Sequence, residues 1–106
     1  MPIDSALQVV SDAEESHCRH ADMFRALGAQ VSGGETRAVA RAIGDVRRAI
    51  VRGISVADAI SDAAWQARTR AAQYRSINAA ADAHEADAVV RALVEVANAL
   101  GIAVGA

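Results

Sequence analysis

Glu14, His17 and His20 are the residues of this chain whose types and spacing suit chemistry. A carboxylate and an imidazole three positions apart stand on adjacent turns of a helix. Carboxylate-bridged di-metal bundles present Glu-x-x-His pairs to a shared ion in this way, so these three residues form a candidate site for a transition metal such as iron or zinc. At ~100° per residue, Ala6, Val10, Ala13, His17, His20, Phe24 and Leu27 share one stripe, with Glu14 and Ala21 along its edge. Such a stripe faces a core. A buried imidazole there needs a hydrogen bond or a metal at each ring nitrogen. Without a metal, the two histidines are expected at a subunit seam, bonded to backbone, side chain or water.

A full ligand set also needs carboxylates from facing helices. In an antiparallel bundle His17 lies level with residues near 45, 63 and 98, yet Asp45, Asp62 and Asn98 point outward in the registers read below. Glu35 does fall on the inner line of its helix, but ~15 Å along the axis from His17. One chain therefore leaves the set open, and a dimer joining two Glu14–His17 pairs would close it. A second Glu-x-x-His copy is missing, because Ala81 stands three residues before His84 and His84 faces solvent.

The elements that must position these residues are helices. Of the 53% apolar residues about half are alanine, the strongest helix former, and the only aromatics are Phe24, Trp65 and Tyr74. Alanine buries little area, at ~25 cal/mol per Å², so the helices must pack closely or share their core with another copy. Ser5 with Gln8, Ser32 with Glu35 and Ser55 with Asp58 have the spacing of N-terminal capping pairs. Gly28, Gly53 and Gly101 stand where left-handed glycines close helices. These signals predict helices near 5–27, 34–52 and from 56 onward, with a loop at 28–34 in which Gly33-Gly34 is a hinge.

From 56 to 100 there is neither glycine nor proline, and one helix over that span would be ~68 Å long. Val56, Ile60, Ala63, Ala67, Ala71 and Tyr74 share one face; Val89, Leu93, Val96 and Leu100 share another. The two faces do not join smoothly across 78–86, where Asp82 and Glu85 offer a further capping pair. We expect a break near 78–82 and a fourth helix to about 100, giving an all-α, up-down-up-down bundle in a single domain over 1–106. A three-helix bundle with one long bent last helix is the alternative. No strand signal, internal repeat or low-complexity linker is read.

Trp65 is out of place in this scheme. It points about 140° from the Val56–Tyr74 face at helical spacing, among Asp58, Asp62, Thr69 and Ala72. Tryptophan contributes much contact area with few torsions, so Trp65, Arg68 and Ala72 are candidate partner-binding residues. Arg41 and Arg48 join them from the second helix, where Arg37, Arg41, Arg48 and Arg52 form a stripe and residues 35–52 carry net +3. All eleven basic residues are arginine, but the chain's net charge is −2 and no aromatic platform accompanies the stripe. Solvated arginines answering nearby acids explain it better than nucleic acid does. Ala40 and Gly44, four apart, permit close helix approach. Cys18 falls at the edge of the first stripe as a packing residue, without a base or CxxC partner. A lone cysteine, an acidic start and no long apolar run fit a cytoplasmic protein with neither signal peptide nor membrane span.

In size and helicity the chain is similar to the WXG100 proteins exported by type VII secretion, which would imply a secretion-associated helical protein. It departs from that family's pattern: Trp65 is followed by Gln66 and Ala67 instead of the Trp-x-Gly turn, and Asn78 stands where the Tyr-x-x-x-Asp/Glu signal after Tyr74 needs an acid. No nucleophile elbow or phosphate loop is present. The residues therefore point to a small, soluble, non-enzymatic structural or adaptor protein without a cofactor, acting through self-association or a partner helix. The closing segment Gly101-Ile-Ala-Val-Gly-Ala would extend that contact. A metal-binding bundle built from Glu14, His17 and His20 is the alternative.

Overall fold

The computed structural model describes residues 2–104. It is a four-helix, up-down-up-down bundle: α1 (Ile3–Ala26), α2 (Gln30–Val51), α3 (Val56–Ser76) and α4 (Ala80–Ala99). The last two residues of the chain, Gly105 and Ala106, which the closing-segment expectation includes, lie outside the described residues. No helix is long and apolar enough to cross a membrane among the described residues.

One device ends all four helices. A left-handed residue stands at Gly28 (φ 74°), Gly53 (φ 101°), Asn78 (φ 58°) and Gly101 (φ 71°). The N–H after each returns to a carbonyl five residues back: Ala29 to Phe24 at 2.9 Å, Ile54 to Ala49 at 3.1 Å, Ala79 to Tyr74 at 2.8 Å and Ile102 to Ala97 at 2.9 Å. This hydrogen bond satisfies carbonyls that the helix end leaves unpaired. Asn78 is the non-glycine residue that tolerates the conformation, and it breaks the apolar run into two helices where the phase of the sequence changes. The single long helix does not form.

Helix starts are less faithful to the serines. Ser55 does cap α3, accepting from the Asp58 N–H at 3.1 Å. The other starts are Pro2, Ala29 and Ala79, none with a side-chain cap bond. Residues 30–34 are therefore helix, not loop, and Gly33-Gly34 is no hinge. The turn at Gly28 needs only Leu27–Ala29 to reverse the chain. Gly33 lies inside the helix and faces α1, where a Cβ would meet the Phe24 Cβ at 3.5 Å, an ordinary packing distance.

The core is small-residue packing around a few large side chains, with Val10, Ile43, Val46, Ile50, Ile60 and Leu93 essentially buried. Alanine fills the gaps, with Ala64, Ala67 and Ala97 sealed between helices. α1 pairs with α2, α3 pairs with α4, and the two hairpins meet chiefly through α2 and α4, while α1 and α3 scarcely touch. A Cβ at Gly34 would lie 3.7 Å from Glu85 Oε2, so α2 and α4 start side by side. Both hairpin turns lie at this tip end; the linker 52–55 lies at the opposite, base end.

The two hairpins are copies of one pattern, contrary to the expectation of no repeat. An offset of 50 positions pairs identical residues at Ser5/Ser55, Ser11/Ser61, Asp12/Asp62, Arg25/Arg75, Glu35/Glu85, Val39/Val89, Arg41/Arg91 and Val46/Val96, besides several alanines. It also pairs Val10 with Ile60, Phe24 with Tyr74, Ile43 with Leu93 and Ile50 with Leu100. Burial follows the same offset: 10 and 60, 21 and 71, 39 and 89, 43 and 93, 46 and 96, and 50 and 100 are all buried. Gly28 and Asn78, the left-handed residues of the two turns, are equivalent too. Alanine content hides the repeat in a linear reading, since alanine matches alanine at many offsets.

Candidate functional site

The first candidate is the Glu14–His17–His20 line. Glu14 points at α2, where the Arg47 Nε donates to its Oε1 at 2.6 Å; both side chains are half-buried. Gly44 makes room for it, because a Cβ there would fall 2.5 Å from Glu14 Oε2. The Ala40–Gly44 step thus seats a carboxylate. In the second hairpin the equivalent residues are Ala64, Val94 and Ala97. A large residue over glycine in one hairpin is replaced by a small residue beside valine in the other.

His17 and His20 stand edge to face with ring centroids 6.4 Å apart. His17 is half-buried and His20 exposed, so the inner line of α1 runs through Ala21 instead of His20, and Leu27 leaves the core altogether (74% exposed). Burial pushes the His17 imidazole below its ordinary range, and the neighbouring His20 adds to this; the Glu95 carboxylate on α4 pulls partly the other way. Glu95 is the facing acid that the register argument, centred on Asn98, passed over by one turn. Among the described residues, no three His, Cys, Asp or Glu side chains gather into a set that would hold a metal ion. Asp45, Asp62 and Asn98 are exposed, as the registers require, and Cys18 is exposed and free.

The second candidate is the face shared by α2 and α3. Trp65 stands at the middle of α3 with 67% of its surface exposed. Ala72 is exposed beside it, Arg68 is half-buried, and Arg41 and Arg48 are exposed on α2. Arg48 pairs with Asp45 on its own helix. Between these helices runs a groove. Near the base it opens into a cavity of about 320 Å³ lined by Ala42, Ala49, Ala59, Ala63, Arg48, Arg52, Asp62 and Gln66. Toward the tip a smaller cavity of about 130 Å³ is lined by Arg41, Arg70, Tyr74, Asp82 and Glu85. The two share Ala42, Asp45 and Arg70. Short alanines make the floor and long charged side chains make the walls, as expected where facing helices lack side chains large enough to meet. Sequence spacing placed Trp65 outside the core but gave no sign of the groove, which depends on how far apart α2 and α3 sit.

No family model, no curated protein and no solved structure matches this chain.

Proposed function

We propose that this protein is a small structural or adaptor module that associates, with itself or another protein, through the face formed by α2 and the outer side of α3. The observation that carries the reading is Trp65, an indole at the centre of a helix with two thirds of its surface in solvent (67%). Buried tryptophans stabilise a fold, whereas the residues that anchor protein interfaces are enriched in tryptophan. Ala72 keeps the contact flat beside it, and Arg41, Arg48 and Arg68 supply a charged rim that aligns a partner.

The test separates folding from association. In Trp65→Ala the isolated chain should unfold within about 3 °C of the parent, as a surface change of about 0.5 kcal/mol implies. Species larger than one chain, counted by native mass spectrometry of protein purified without chelator or affinity metal, should disappear. A variant that melts far earlier while its assembly state stays the same would make Trp65 a fold residue and end this reading.

A further inference from the structure

We infer that the occupant of this face is a second copy of the chain, related by a twofold axis running along the bundle, with Trp65 of each copy seated in the groove of the other. The inference rests on the interface reading above and names its partner.

A twofold interface brings one surface against itself, so a projecting residue needs its receptor on the same surface. Trp65 and the larger cavity meet that condition. Asp62, Ala63 and Gln66, which line the cavity, flank residue 65 on the same helix. Projection and hollow therefore lie side by side at one height. A rotation about an axis parallel to the helices preserves height, and so brings each Trp65 level with the opposite hollow. An axis perpendicular to the helices would also reverse the charge order along them. The hollow has room: a cavity of roughly 150 Å³ accepts a benzene ring, and this one is about 320 Å³ with an alanine floor.

Charge gives the same operator independently. The outer side of α3 carries Asp58 and Asp62 toward the base and Arg68 nearer the tip. The groove leans the opposite way: its base cavity is lined by Arg48, Arg52 and Arg70 with Asp45 and Asp62, one cation in excess, and its tip cavity by Asp45, Asp82 and Glu85 with Arg41 and Arg70, one anion in excess. Only a parallel arrangement sets the acids of one α3 beside the base-end arginines of the other copy. The antiparallel alternative sets those acids beside the end with the anionic excess, which disfavours association.

The experiment pairs two variants, Trp65→Ala to remove the projection and Ala49→Leu to fill the hollow, after circular dichroism shows that each is folded. Sedimentation equilibrium should give a dimer for the parent chain and at least a tenfold weaker one for each variant. An equimolar mixture of the two variants should dimerise more tightly than either alone, because one intact projection then meets one intact hollow. A parent chain that stays monomeric at several hundred micromolar overturns the second copy while leaving the α3 face open to another protein. A dimer unaffected by both substitutions overturns the face as well. A mixture no tighter than its components overturns the reciprocal seating.

Discussion

The two hairpins of this bundle share a backbone plan and differ in what they place where their helices cross. α1 and α2 cross over an ion pair, Glu14 to Arg47, let in by Gly44. α3 and α4 carry Ala64, Val94 and Ala97 at the same three positions, and their interhelix ion pair, Arg75 to Asp87, stands near the turn instead. Polarity is not conserved across the crossing. The apolar solution gives tight packing without desolvating a charge. The polar solution ties α1 to α2 in particular, because Glu14 set against α4 would find Val94 and Ala97 and lose its counter-charge. With that difference, two similar hairpins keep their helices from exchanging partners.

The largest test of the equivalence lies in the core. Ile43→Ala and Leu93→Ala remove matching side chains, each 1% exposed, and each should cost about 2–5 kcal/mol in urea unfolding. A difference between them greater than about 2 kcal/mol would mean that the halves do not share one core.

Next comes the crossing itself. Gly44→Ala relieves a helix-interior glycine, worth about 1 kcal/mol, but displaces Glu14 from Arg47, which costs about 1–2 kcal/mol for a half-buried carboxylate. The expected net is a small loss in the parent chain. In the Glu14→Ala background the same substitution should gain about 1 kcal/mol. A sign that does not depend on residue 14 would refute the seating of Glu14 over Gly44.

Smaller effects belong to the turns. Asn78→Gly should stabilise by roughly 0.5–1 kcal/mol, since glycine takes a positive φ without strain, and Gly28→Ala should destabilise by about 1 kcal/mol. Thermal melts measure both. Equal and opposite shifts would show that the two turns are energetically interchangeable.

The smallest effect is acid sensitivity at His17, whose partner position holds Ala67. The folded state holds the His17 pKa below its ordinary value of 6.5, so the unfolded chain binds the proton more readily. Stability is then full above about pH 6.5 and falls as pH drops through the interval down to the folded pKa, below which this contribution is constant. His17→Ala, which copies the second hairpin, should flatten that part of the stability profile. An unchanged slope would assign the sensitivity to other groups.

Much of the fold is legible in the chain because its signals are local. Glycines 28, 53 and 101 mark helix ends through a backbone conformation that few other residues adopt, and the Val89-Leu93-Val96-Leu100 spacing marks a buried face. The signals that misled were those with competitors. Ser32 and Glu35 have capping spacing, yet the turn at Gly28 closes so tightly that the helix begins two residues before Ser32. At the candidate sites, the outward position of Trp65 follows from periodicity alone. The pairing of Glu14 with Arg47 does not, since it joins residues 33 positions apart and depends on the void left by Gly44. The repeat was present in the letters throughout, but its most telling matches are conservative ones, such as Phe24 with Tyr74, that emphasise shape over identity.

The meeting of the hairpins through α2 and α4 also orders events in time. Each hairpin closes over a turn of three residues, so its contacts are local and form on the microsecond scale of helical hairpins and loops. The seam between the hairpins, made chiefly by α2 and α4, joins distant stretches of chain, and its closure is the step that waits on a search. Refolding should therefore be slowed by truncation at the seam, and hastened by a shorter or stiffer linker at 52–55, with unfolding governed by the interiors of the hairpins.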